Sequence, residues 1–74
     1  MSTPPRVSGR EVVRALQKVG YERDRQRGSH FVLRQTVPPH RRITVPDHKE
    51  VARDTLRAII RQAGLTVDEF RALL

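Results

Sequence analysis

A histidine stands where a tight turn gives way to an apolar run: Gly28-Ser29-His30 is followed at once by apolar residues 31–33. An imidazole can both accept and donate a proton near neutral pH. As a general base it could take the proton from an RNA 2′-hydroxyl, which then attacks the adjacent phosphate, and such a step contributes about 10²–10⁴-fold. A surface strand histidine with no role is the alternative that these residues alone leave open.

Two arginines close to this turn could assist such chemistry. The guanidinium of Arg25 or Arg27, with the backbone N–H groups around Gly28, could stabilise charge on phosphoryl oxygens. Metal chemistry is not indicated, because the spacings of ten and eight between His30, His40 and His48 match no zinc pattern. The carboxylates are scattered and cysteine is absent, which excludes thiolate chemistry. We therefore expect no metal and no small-molecule cofactor.

The charge of the chain indicates a polyanionic partner. Lys and Arg number 15 against 8 acidic residues, a formal charge of +7, and only Lys18 and Lys49 are lysines. Arginine offers a planar fork that suits phosphate, whereas lysine is a point charge. A membrane is the least favoured partner, because no apolar run approaches the ~20 residues needed to span a bilayer. Aromatic residues are few, so shape and backbone contacts are favoured over base stacking.

A row of arginines recurs at helical spacing in the second half of the chain. Arg53, Arg57 and Arg61 stand at i, i+4 and i+8, and we expect them on one helix face, opposite the apolar stripe. The row could track nucleic-acid phosphates or dock an acidic partner. A solvated helix face without a role is the alternative.

The hydrophobic pattern predicts one small α+β domain over residues 8–74, after a flexible tail over residues 1–7. Ser8 and Glu11 fit a capping box for a first helix over 9–19, and Asp54 or a neighbour should cap the second helix. Strands are predicted over 21–25, 29–35 and 42–45, and a short final helix after Thr66. Both main helices should cover one face of an antiparallel sheet, which gives two layers. The start of the chain has no signal-peptide pattern, so we expect a cytoplasmic protein.

Several segments in this order match a known family. They are Gly20-Tyr21, residues 25–30, residues 44–48, residues 55–65 and Glu69-Phe70. In these segments the chain resembles the HicA-type mRNA interferase toxins. Two positions depart from the family pattern: Asp54 stands where glycine is usual, and Asp24 stands where an apolar strand residue is usual.

The resemblance implies a fold like a double-stranded RNA-binding domain, α-β-β-β-α with a short C-terminal helix. It also implies a ribosome-independent endoribonuclease that cleaves mRNA and arrests translation. A cognate HicB-like antitoxin, encoded beside the toxin, would cover the catalytic surface. The family's catalytic histidine corresponds to His30, and Gly28 and Ser29 form the loop that supports it.

Three hypotheses follow for the function. The first is a metal-independent RNA endonuclease toxin that uses His30. The second is a non-catalytic RNA-binding module that blocks translation by occupancy, and the third is a basic domain that binds only an acidic protein.

Overall fold

The computed structural model describes residues 3–74. The elements follow the chain as α1 (Gly9–Gln17), β1 (Tyr21–Arg27), β2 (His30–Gln35), β3 (Arg42–Pro46), α2 (Arg53–Gln62) and α3 (Val67–Arg71). The three strands form one antiparallel sheet in the order β1-β2-β3. The predicted α+β fold, with the α-β-β-β-α order of a double-stranded RNA-binding domain and a short C-terminal helix, is confirmed.

Capping boxes start two of the helices, as the sequence predicts. At α1 the Glu11 amide donates to the Ser8 hydroxyl (3.1 Å), and the Ser8 amide donates back to the Glu11 carboxylate (3.0 Å). These hydrogen bonds lower the pKa of Glu11. The bond to the Ser8 backbone is the largest cause, and the bond to the Ser8 side chain is the second. Thr66 and Glu69 form the same pair of hydrogen bonds at α3. Each box satisfies two of the N–H groups that a helix start leaves free.

The start of α2 differs from its prediction. The residue before the helix is Ala52, which is exposed and makes no side-chain capping hydrogen bond, so the expected cap by Asp54 or a neighbour is wrong. Asp54 lies in the first turn instead, where a negative charge favours the positive end of the helix dipole. Burial of Leu56, Ile59 and Ile60 must therefore supply most of what holds α2 in place.

The hydrophobic core lies between the helices and one face of the sheet. Phe31 and Leu33 of β2 and Ile43 and Val45 of β3 point into it, because alternate strand residues share a face. They pack in one cluster with the apolar stripes of α1 and α2, and Phe70 of α3 joins them. Within residues 3–74 no helix covers the opposite face of the sheet, so this face is open to solvent, which an antiparallel sheet allows.

A bulge in β1 accommodates the acidic residue that departs from the family pattern. The pairing of β1 with β2 shifts between Arg23, opposite Leu33, and Arg25, opposite Val32. Asp24 is the extra residue, and its carboxylate accepts a hydrogen bond of 2.7 Å from Arg42. Asp24 therefore stays out of the core.

The first residues of the chain approach the last two helices. Met1 and Ser2 of the predicted flexible tail lie outside the described residues. Of residues 3–7, Pro4 and Val7 are buried, and the Val7 carbonyl accepts a hydrogen bond of 2.8 Å from the Val51 amide. The Arg71 guanidinium donates to the Thr3 carbonyl. None of the helices in residues 3–74 has the length and apolarity to cross a membrane.

Candidate active site

A two-residue connection joins β1 to β2 at the tip of the hairpin. Arg27 pairs directly with His30, which leaves Gly28 and Ser29 as the turn. Gly28 has a φ of 57°, and glycine at the first of two turn positions is typical of type II′ hairpins. A Cβ on Gly28 would meet no atom within 4 Å, so the turn needs glycine for its backbone conformation rather than for space.

His30 lies at the open end of this hairpin. It is exposed, and its side chain leaves the sheet on the face opposite the buried Phe31. Arg27 stands opposite it on β1, and Pro46 stands opposite it on β3. Within residues 3–74 the imidazole makes no hydrogen bond and no ion pair, so it is accessible to a ligand from solvent.

The segment after β3 is hydrogen-bonded to this turn. The Asp47 amide donates a hydrogen bond of 2.7 Å to the Ser29 carbonyl, and the His48 carbonyl accepts one of 2.9 Å from the Gly9 amide. A Cβ on Gly9 would stand 2.0 Å from the Pro46 carbonyl oxygen, so only glycine allows this approach. His48 thus braces the start of α1 through its backbone.

The predicted arginines of β1 share the open face with His30. Arg25 pairs with Val32 and Arg27 pairs with His30, which places both on the solvent side of the sheet, and both are exposed. Gln26 alternates to the other side, where it accepts from Arg23 (3.0 Å) and donates to the Gly28 carbonyl (3.2 Å). The hairpin therefore brings together the predicted histidine, its turn and two of the five predicted RNA-binding arginines.

The arginine row of α2 lies elsewhere. Arg53, Arg57 and Arg61 belong to a helix that packs on the core face of the sheet, so they do not join His30 on the open face. Arg57 is half-buried, because at 100° per residue it stands about 60° from the buried Ile60 around the helix. The row consequently borders the apolar stripe. The expectation from the sequence, that the row lies opposite the stripe, is wrong. Its role in RNA binding stays a prediction.

The other histidines take no part in the site. His40 is half-buried with a φ of 57°, and its Nδ1 lies 3.1 Å from the Gln35 carbonyl. Among residues 3–74, His, Asp and Glu form no group of three that could hold a metal ion.

The comparisons with known proteins bear on the same segments. A family model described as the HicA toxin of bacterial toxin–antitoxin systems matches residues 9–65. The chain belongs to the HicA toxin family. The HicA match covers α1, the whole sheet with the Gly28-Ser29-His30 turn, and α2. Among curated proteins, none matches the chain significantly. Membership of the HicA family makes the chain the toxin of a toxin–antitoxin pair, and implies a cognate antitoxin as its partner.

Proposed function

We propose that this HicA-family chain is an endoribonuclease that cleaves mRNA, inhibits translation and uses His30 as its catalytic residue. The observation that supports this most is the placement of His30. Its exposed imidazole directly follows the Gly28-Ser29 turn and stands opposite Arg27 on a basic sheet face. The proposed activity belongs in the cytoplasm, where mRNA is available, and its partner there is a cognate HicB-like antitoxin.

The proposed reaction starts with proton transfer to His30. A ring nitrogen takes the proton of a ribose 2′-hydroxyl, and the 2′ oxygen forms a bond to the adjacent phosphorus. The bond from phosphorus to the 5′ oxygen of the next nucleotide breaks. That oxygen takes a proton from water, because His30 is exposed and forms no ion pair with an acidic side chain of residues 3–74.

Charge on the phosphoryl group needs a cation close to His30. Arg27 stands directly across the strand pair and Arg25 is its neighbour on the same face, so one guanidinium can reach phosphoryl oxygens while the imidazole reaches the 2′-hydroxyl. A guanidinium donates two parallel hydrogen bonds to phosphate, which fixes position as well as charge. We assign this stabilising role to Arg27, with Arg25 as a contact to a neighbouring phosphate.

The test is RNA cleavage by the purified protein in excess EDTA. Wild-type protein should cut a single-stranded RNA, and addition of the purified antitoxin should stop the reaction. Intact RNA in EDTA, with cleavage restored by a divalent ion, would contradict the metal-independent mechanism. Growth arrest without any RNA cleavage would instead favour the second hypothesis, an RNA-binding module that acts by occupancy.

A further inference from the structure

A basic groove runs between α1 and the β1–β2 hairpin on the side away from His30. We call it the α1 arginine groove. It has a volume of about 480 Å³ and is lined by Arg10, Val13, Arg14, Gln17, Arg23 and Phe31. Its floor is apolar and almost closed to solvent, since Val13 and Phe31 are 6% and 2% exposed. Its walls are polar and exposed, and three of its four polar side chains are arginines.

Little within the described residues neutralises these arginines. Only Arg10 has a carboxylate within 4 Å, that of Asp47 at 3.6 Å, and Arg10 remains 75% exposed. Glu11 is the nearest acid to Arg14 along the helix. Its carboxylate accepts from the Ser8 amide, and the charge of Arg14 is the last of the causes that lower the Glu11 pKa. Two of the three groove arginines, Arg14 and Arg23, therefore have no carboxylate within 4 Å among residues 3–74.

The geometry points to phosphate groups as the ligand, because the aromatic floor is covered. The Arg23 guanidinium lies over the Phe31 ring, 4.4 Å from its centroid, so a nucleobase cannot stack there. Arg10 and Arg14 are four residues apart, which places them about 6 Å apart along the helix axis. Such a row can contact successive phosphates of one strand, while the Gln17 amide can donate to or accept from a sugar hydroxyl.

The groove is also tied to the turn that carries His30. Arg23 donates to Gln26, and Gln26 donates to the Gly28 carbonyl, so hydrogen bonds connect the groove wall to the turn. Phe31 of the floor directly follows His30 in the chain. A strand cleaved at His30 must continue beyond the cleaved phosphate, and the groove is a basic surface on the other face of the same hairpin.

We propose that the α1 arginine groove binds the phosphate backbone of the RNA substrate on one side of the cleaved bond. This inference rests on the proposed ribonuclease function. It adds Arg10, Arg14 and Arg23 as substrate-binding residues, of which none acts on the reacting atoms.

The test compares two double variants that remove the same charge. Arg14→Gln/Arg23→Gln changes the groove, and Arg6→Gln/Arg41→Gln changes exposed arginines outside it. Binding to a single-stranded RNA is measured over a range of salt in a His30→Ala background, which prevents cleavage. The groove variant should bind about tenfold more weakly, and its salt slope should fall by about 1.4, because each lost phosphate contact removes about 0.7. The control should lose less than about threefold.

Cleavage by the same variants with His30 present separates binding from chemistry. The groove variant should raise KM and leave kcat unchanged, which is the signature of binding lost equally from substrate and transition state. A second pair of single variants, Arg14→Glu in the groove and Arg41→Glu outside it, repeats the binding and cleavage measurements. These variants keep the hydrogen bond from Arg23 to Gln26, so the His30 turn is not disturbed. Equal RNA affinity in groove and control variants of equal melting temperature would overturn the groove proposal, as would loss of antitoxin binding alone. Failure of the wild type to cut RNA would overturn the proposed function instead. The comparison of RNA affinities would still test the groove, because it does not depend on cleavage.

Discussion

The Asp47 amide donates a hydrogen bond of 2.7 Å to the Ser29 carbonyl, and so fixes the turn before His30 to the segment after β3. That segment is fixed in turn to α1, because the His48 carbonyl accepts from the Gly9 amide. The candidate site thus depends on a contact between α1 and β3 that lies outside it.

The first prediction concerns that contact. Gly9→Ala would place a Cβ 2.0 Å from the Pro46 carbonyl oxygen, and a backbone atom cannot turn away as a side chain can. We expect a loss of about 3 kcal/mol in the free energy of unfolding. Gly64→Ala is the control: its φ is 75° but a Cβ would meet nothing within 4 Å, so only backbone strain of about 1–2 kcal/mol is expected. Chemical denaturation measures both, and equal losses would contradict the clash.

The second prediction concerns pH and the capping box of α1. The pKa of Glu11 is lowered in the folded protein, first by the Ser8 backbone hydrogen bond, so the charged carboxylate stabilises the fold above its unfolded pKa. Glu11→Gln keeps an acceptor for Ser8 but removes the charge. Its melting temperature should lie below the wild type at pH 7, and the gap should close as the pH falls below about 4. Glu50→Gln is the control, because it removes the same charge from a residue that caps no helix. A gap that persists at pH 3 would show that lost packing, not charge, is responsible.

The third prediction concerns the ion pair on the open face of the sheet. Asp24→Asn releases Arg42 from its 2.7 Å contact. Stability should change by less than about 1 kcal/mol, because the pair is partly exposed. RNA affinity should rise, since Arg42 stands on the same face as His30 and becomes available to phosphate. Glu50→Gln makes the same change in net charge outside the three strands. An equal gain in RNA affinity in that variant would argue against RNA on the open face.

The fourth prediction concerns the arginines of α2. Replacing Arg53, Arg57 and Arg61 with glutamine should weaken RNA binding and lower the salt slope by about 2, if each contacts one phosphate of a single strand. Because these residues do not share a face with His30, kcat should be unchanged. The matched control replaces Arg6, Arg41 and Lys49 with glutamine. RNA binding that falls no further than in this control, with weaker antitoxin binding, would assign the row to the protein partner.

Local signals made much of the fold predictable, whereas the supports of the site come from long-range contacts. The capping boxes and the positive φ of Gly20, Gly28 and Gly64 follow from residues a few positions apart. The close approach of Gly9 to Pro46 and the hydrogen bond of Asp47 to Ser29 join distant parts of the chain, and no periodicity reports them.

The outcome at α2 has the same physical reason. The sequence predicts a side-chain cap, but tertiary burial of Leu56, Ile59 and Ile60 makes one unnecessary. The α1 arginine groove likewise joins residues of α1 with Arg23 and Phe31, which are distant in the sequence. In the sequence, the spacing of Arg10 and Arg14 by four residues indicates only that these two share a helix face.

The central claim is that His30 carries the proton transfer, and the most direct measurement is the single-turnover rate of RNA cleavage by His30→Ala in EDTA. The imidazole is exposed and unpaired within residues 3–74, so the variant should keep the melting temperature and RNA affinity of the wild type. Its cleavage rate should fall by about 10²–10⁴-fold. Cleavage at the wild-type rate by a folded His30→Ala protein would contradict the account.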